Sequence, residues 1–194
     1  MRRKIQLIDK PSLRIHIDYE YLTVGELGNI LIRLQAALRS IAGLSPGEYS
    51  GEYAREQPRF ITSFVNTEKS IEIGVVLAVL AIVMQLPQAI PFWRNFAAET
   101  IRRFKLALLA LVSGESKTPE DITETEGLRI EVTKGKIDFA TSRRFLQELT
   151  EGQRNRLANF LWSLTGPSRK VSIGDEESEI SIYWPEYDDD KPKD

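Results

Sequence analysis

The chain contains a single histidine, His16, and no cysteine. These two facts narrow the chemistry it can host. A Ser-His-Asp triad would have to use His16, and no Gly-x-Ser-x-Gly elbow supplies the serine. Thiolate nucleophiles, disulfides and cysteine-held metals are excluded. The Gly-x-x-x-x-Gly-Lys-Ser/Thr phosphate loop, the dinucleotide fingerprint, the His-Glu-x-x-His zinc helix and the acidic calcium loop are all missing. A carboxylate pair could still act as general acid and base, but with 28 acidic residues none is singled out. The sequence therefore names no catalytic residue, no cofactor and no metal site. His16 faces away from Ile15 and Ile17 in an alternating segment and reads as a surface strand residue.

What remains is binding chemistry. Arg94, Arg102, Arg103 and Lys105 fall on the polar side of one helical pattern and, with Arg143-Arg144, could contact phosphates. Trp93 accompanies them, but no aromatics are spaced along a strand as a stacking platform. A net charge of −2 supplies no global field either. Nucleic acid is thus the weakest of three partner readings.

The stronger signal is apolar. Ser70 to Val112 holds the longest apolar run, and Ile73 to Met84 carries no charge and no hydrogen-bonding side chain. Val76, Val79, Leu80 and Val83 from this run, with Phe92, Trp93 and Phe96 after it, form the candidate contact surface. A membrane span needs roughly 20 apolar residues, and this run reaches that length only by taking in Gln85, Pro87, Gln88 and Pro91. A buried helix over residues 75–86 is the expectation, covered either by its own domain or by a second subunit. The competing expectation is a membrane-perturbing effector that exposes residues 73–112.

The surrounding elements follow from periodicity and punctuation. Ile5 and Leu7, then Leu13, Ile15, Ile17 and Tyr19, alternate around Lys10-Pro11-Ser12 and predict a hairpin of residues 3–8 and 12–20. Thr23 and Glu26 form a capping box for a helix carrying Leu27, Ile30, Leu31, Leu34, Leu38 and Ile41, ended at Gly43. Glu48 to Pro58 is a loop with two Glu-Tyr pairs. Phe60 to Val65 and Ile71 to Val75 are strands around Asn66–Lys69. Pro87 and Pro91 end the apolar helix, and a further helix spans 92–112, with Gly114 as its C-cap. Leu128, Ile130 and Val132, then Ile137 and Phe139, predict a short hairpin around Lys134-Gly135. Ser142 would cap the next helix, and Thr150 with Gln153 forms a second capping box. The last hairpin pairs Val171 and Ile173 with Ile180, Ile182 and Trp184 around an acidic turn.

Charge is uneven along the chain. Asp175 to Asp194 holds nine acidic and two basic residues, the composition of a solvated tail. Screening of a basic surface by that tail is the sharper alternative. Met1-Arg-Arg-Lys precedes alternating strand residues rather than an apolar run. No secretory signal is read, and a bacterium-like cytoplasm is the expected location.

Phe64 to Val76, a strand, the turn Thr67-Glu68-Lys69-Ser70 and SIEIGVV running into an apolar segment, resembles a pattern in uncharacterised bacterial proteins. Some of these are similar to adaptor modules of conflict and defence systems. The resemblance implies an α+β adaptor acting through protein contacts, and it transfers no catalytic residue.

The expectation is one α+β domain over 1–185, with lobes 1–114 and 120–185 and an acidic tail at 186–194. Antiparallel hairpins pack on three to four helices. Its role is a non-enzymatic interaction domain that self-associates or binds another protein.

Overall fold

Ten elements form an antiparallel sheet with helices on one face in a computed structural model describing residues 5–44, 59–67, 69–80, 89–113, 129–135, 139–165 and 168–184. In chain order they are β1 (Ile5–Tyr19), α1 (Val24–Ile41), β2 (Arg59–Asn66), β3 (Ser70–Leu80), α2 (Ala89–Ser113), β4 (Arg129–Lys134), α3 (Phe139–Glu148), α4 (Glu151–Thr165), β5 (Ser168–Gly174) and β6 (Glu179–Tyr183). The sheet order is β2-β3-β1-β5-β6-β4. The class is α+β, and the antiparallel pairing of β1 with β5 joins strands from both halves of the chain in one sheet.

Alternation sorts the sheet into two faces. Leu13, Ile15 and Ile17 of β1, Ile71, Ile73, Val75 and Leu77 of β3, Val171 and Ile173 of β5, and Ile180 of β6 are buried in one core with residues of all the helices. Phe104 of α2 meets Phe160 of α4 there, ring centroids 5.7 Å apart. The other face carries Arg14, His16, Asp18, Glu72 and Lys170.

The expected helix at 75–86 is corrected by this arrangement. Residues 75–80 belong to β3, hydrogen-bonded between β1 and β2; residues 81–86 lie outside the described residues. The absence of polar alternation reflects a central strand apolar on both sides: Leu77 is buried on the helix face and Ala78 on the opposite one. The β-branched Ile71, Ile73, Val75 and Val76 favour that extended backbone. The helix that is buried on all sides is instead the second half of α2, where every residue from Phe104 to Ala110 is buried.

The proposed hairpin at the N-terminus is also corrected. Residues 5–19 form one strand, and Lys10-Pro11-Ser12 sits in a register shift between Ile8 and Leu13 rather than in a turn. β5 pairs only from Arg14 onward, so the missing amide of Pro11 interrupts no bond on that side. Phe139 is likewise not a strand residue: it begins α3, and β4 pairs with β6. Ser142 is buried inside α3 rather than capping it.

Other expectations match the structure. The Thr23–Glu26 box is reciprocal, with the Glu26 amide donating to Thr23 Oγ1 at 3.2 Å and the Thr23 amide to Glu26 Oε2 at 2.7 Å. Thr150 and Gln153 repeat it for α4. Gly43 follows α1 at φ +67°, a left-handed position that suits glycine. β2 and β3 form the expected hairpin, as do β5 and β6. α2 begins at Ala89, and Pro91 sits in its first turn, where a missing amide breaks no helical bond. The Glu48–Pro58 loop, the Gly114 cap and the 186–194 tail lie outside the described residues.

Candidate interaction surface

The first turns of α2 expose apolar side chains. Phe92 is 59% exposed and Ile90 41%. Trp93 and Phe96 are half-buried and pack on the core. The three rings stack edge to face, with centroids 5.0 Å apart for Phe92–Trp93 and 5.5 Å for Trp93–Phe96. Helical spacing places Phe92 and Phe96 on one side, and Trp93 meets both rings edge-on. A preordered aromatic ridge with its base in the core binds another surface at low entropic cost.

The other proposed contact residues are dispersed. Val76 is half-buried on β3, opposite Ile61 of β2. Val79 and Leu80 end β3, in register with Gln6 and Ile5. Val83 lies outside the described residues.

A second apolar surface was not anticipated. β2 is the last strand on its side of the sheet, and Ile61, Phe64 and Val65 are 39%, 52% and 66% exposed. The signal was present in its sequence, Arg-Phe-Ile-Thr-Ser-Phe-Val-Asn. Apolar residues occupy both alternation classes, which a strand with one solvated face does not need.

The four basic residues do not share one face. Arg94 is exposed. Glu99 binds Arg102 through two hydrogen bonds of 2.8 Å and accepts a third from Arg103 at 2.7 Å. The Arg102 bonds in particular hold the Glu99 carboxyl down at about 2, against its partial burial. Arg103 also lies over the Phe145 ring, 5.7 Å from its centroid. Lys105 is buried: its ammonium lies 2.6 Å from Asp175 Oδ2 and 2.5 Å from Ser178 Oγ. It turns inward because its position falls on the buried stretch of α2. Paired and buried in this way, three of the four are poorly placed to grip phosphates. Asp175 belongs to the β5–β6 turn and locks that turn to α2, so the acidic segment begins inside the fold. Burial pushes the Asp175 carboxyl up. The Lys105 ammonium and the Ser178 and Glu177 amides outweigh this and hold it below the usual range.

On the open sheet face, His16 Nε2 lies 3.1 Å from Asp18 Oδ1, both side chains being partly exposed. The serine opposite His16, Ser172, is buried and shares a 2.7 Å hydrogen bond with Ser181. Ser172 is therefore not an accessible nucleophile for the histidine. Among the described residues no cluster of three or more His, Asp and Glu could hold a metal ion. Among them, too, no helix is long and apolar enough to cross a membrane.

No protein-family model matches the chain, and no match was found among curated proteins or solved structures.

Proposed function

We propose that this chain is a non-enzymatic protein-interaction domain that self-associates, consistent with a cytoplasmic bacterial adaptor of the defence-linked kind its Phe64–Val76 segment resembles. The observation that carries the reading is the Phe92–Trp93–Phe96 ridge. It is an edge-to-face aromatic cluster whose outermost ring, Phe92, is more than half exposed. Exposed aromatics with anchored bases are what protein contacts use. The membrane-effector alternative drew its support from a helix over 75–86, and residues 75–80 are strand. The nucleic-acid alternative drew on a basic face from which Lys105 is missing.

Sedimentation equilibrium of wild type and Phe92→Glu tests the reading. Phe92 is exposed enough for the charge to be tolerated in the fold. The wild type should sediment above 22.1 kDa, and Phe92→Glu should weaken association at least tenfold. An unchanged mass distribution in a folded Phe92→Glu protein would overturn the assignment of the ridge.

A further inference from the structure

We infer that the outer edge of β2, unpaired among the described residues, pairs antiparallel with β2 of a second copy, extending the sheet across a two-fold axis. The inference rests on the self-association reading and assigns it a further contact.

The two outer strands are built differently. β4 carries Arg129, Glu131 and Lys134 and has a register shift between Val132 and Lys134. Charges and irregularity are devices that discourage edge-to-edge pairing. β2 has neither. Its pairing with β3 is unbroken from Arg59 to Asn66, and Phe60 to Asn66 contains no charge and no proline. One row of backbone donors and acceptors therefore runs along a regular strand that is uncharged from Phe60 onward. Exposed apolar side chains stand on both its faces: Phe64 on the helix side, Ile61 and Val65 on the other.

Sequence self-complementarity selects a second copy as the occupant. A two-fold axis normal to the sheet keeps each face on its own side, so paired positions must share alternation class. Centring the axis on Ser63 sets Ile61 against Val65 of the other copy and Thr62 against Phe64, each occurring twice. Every exposed apolar side chain of the strand then meets an apolar or threonine neighbour. Arg59 meets Thr67, so no like charges are opposed. Centring on Thr62 would instead leave Ile61 against Ser63 and Arg59 against Val65. The Ser63 register is the better match.

A contact of about eight residues a side is small for a specific interface, so affinity on the order of micromolar is expected from this edge alone. Two different self-complementary contacts on one chain, this edge and the α2 ridge, build assemblies larger than a dimer.

The chain's lack of cysteine makes a single-cysteine test clean. In the proposed register Ser63 faces its own copy, within disulfide range, whereas Ile61 lies four positions from its counterpart. Full-length Ser63→Cys and Ile61→Cys proteins would be oxidised at roughly 50 µM, above that micromolar affinity, and run without reductant. Most of Ser63→Cys should become covalent dimer and little of Ile61→Cys. Separately, Val65→Lys should reduce the mass of the native assembly without altering its circular dichroism. Equal crosslinking of the two variants overturns the register. Failure of Ser63→Cys to crosslink, with an unchanged mass for Val65→Lys while the wild type stays oligomeric, overturns the edge contact and leaves the self-association reading standing. A wild type that is monomeric throughout overturns both.

Discussion

Replacing Lys105 by methionine should be among the most damaging single changes on the surface of α2 that meets the β5–β6 turn. The ammonium sits on a side chain only 4% exposed, and Asp175 is 10% exposed. Asp175 Oδ1 also accepts the Glu177 and Ser178 amides at 2.9 Å, so the carboxylate cannot swing out to water without opening the turn. Methionine fills nearly the same volume, which leaves the buried carboxylate without its counter-charge as the main loss. Breaking a buried pair from one side costs about 3–5 kcal/mol. For a chain of this size that is a fall in melting temperature of roughly 6–20 °C. Urea unfolding followed by tryptophan fluorescence at pH 7 would read the loss directly. The sign with pH is also fixed. In the wild type the depressed Asp175 carboxyl contributes stability that is present above the ordinary aspartate pKa and lost as pH falls through the lower folded value. In Lys105→Met burial is unopposed by the ammonium, the carboxyl rises, and protonation relieves the variant first. The deficit should therefore shrink between pH 7 and 4. Adding Asp175→Asn to Lys105→Met should recover at least half of the lost stability, because no charge is then buried. A single variant within about 1 kcal/mol of wild type, the size of an exposed pair, would refute the reasoning. So would a double variant no better than the single one.

Three further outcomes follow from the packing and turns. Phe160→Ala should cost about 3–5 kcal/mol in urea unfolding, since the ring is fully buried against Phe104. Gly135→Ala should destabilise by about 1–3 kcal/mol, because its φ is +73° and an added methyl would collide with the Glu177 carbonyl oxygen. Glu99→Gln should cost under about 1 kcal/mol, as its pairs with Arg102 and Arg103 are half exposed. Its difference from wild type should hold steady from pH 8 to 5 and vanish as pH falls toward the Glu99 value of about 2, which paired titrations of unfolding would show.

Where the sequence carries its own punctuation, the fold was legible. The Thr23–Glu26 and Thr150–Gln153 boxes mark helix starts because exposed amides need local acceptors. The β5–β6 hairpin announces itself by period two on either side of a polar turn, and the β2–β3 hairpin by apolar β-formers on either side of the polar Asn66–Lys69. Val76 to Leu80 was not legible as strand, because a strand apolar on both faces loses the alternation that distinguishes it from a buried helix. Enrichment in valine and isoleucine was the remaining clue. Pro11 misled for a related reason: the same residue that ends a strand at a turn is tolerated where the neighbouring strand is unpaired. Phe92 and Phe96 were identified from their helical spacing, while Trp93 lies off that spacing and was noted beside the basic residues. Lys105 was placed on the wrong face because a buried cation is invisible until its partner, 70 residues on, is brought beside it. The β2 edge was missed because position at the end of a sheet is a property of topology, which Phe60 to Asn66 alone does not encode.

The central claim is that the domain self-associates, and the most direct measurement is the light-scattering mass of the unmodified full chain from ~1 to ~100 µM, a range that brackets the affinity of small interfaces. The account predicts a mass that climbs with concentration past twice 22.1 kDa. A mass fixed at 22.1 kDa across the whole range would contradict it.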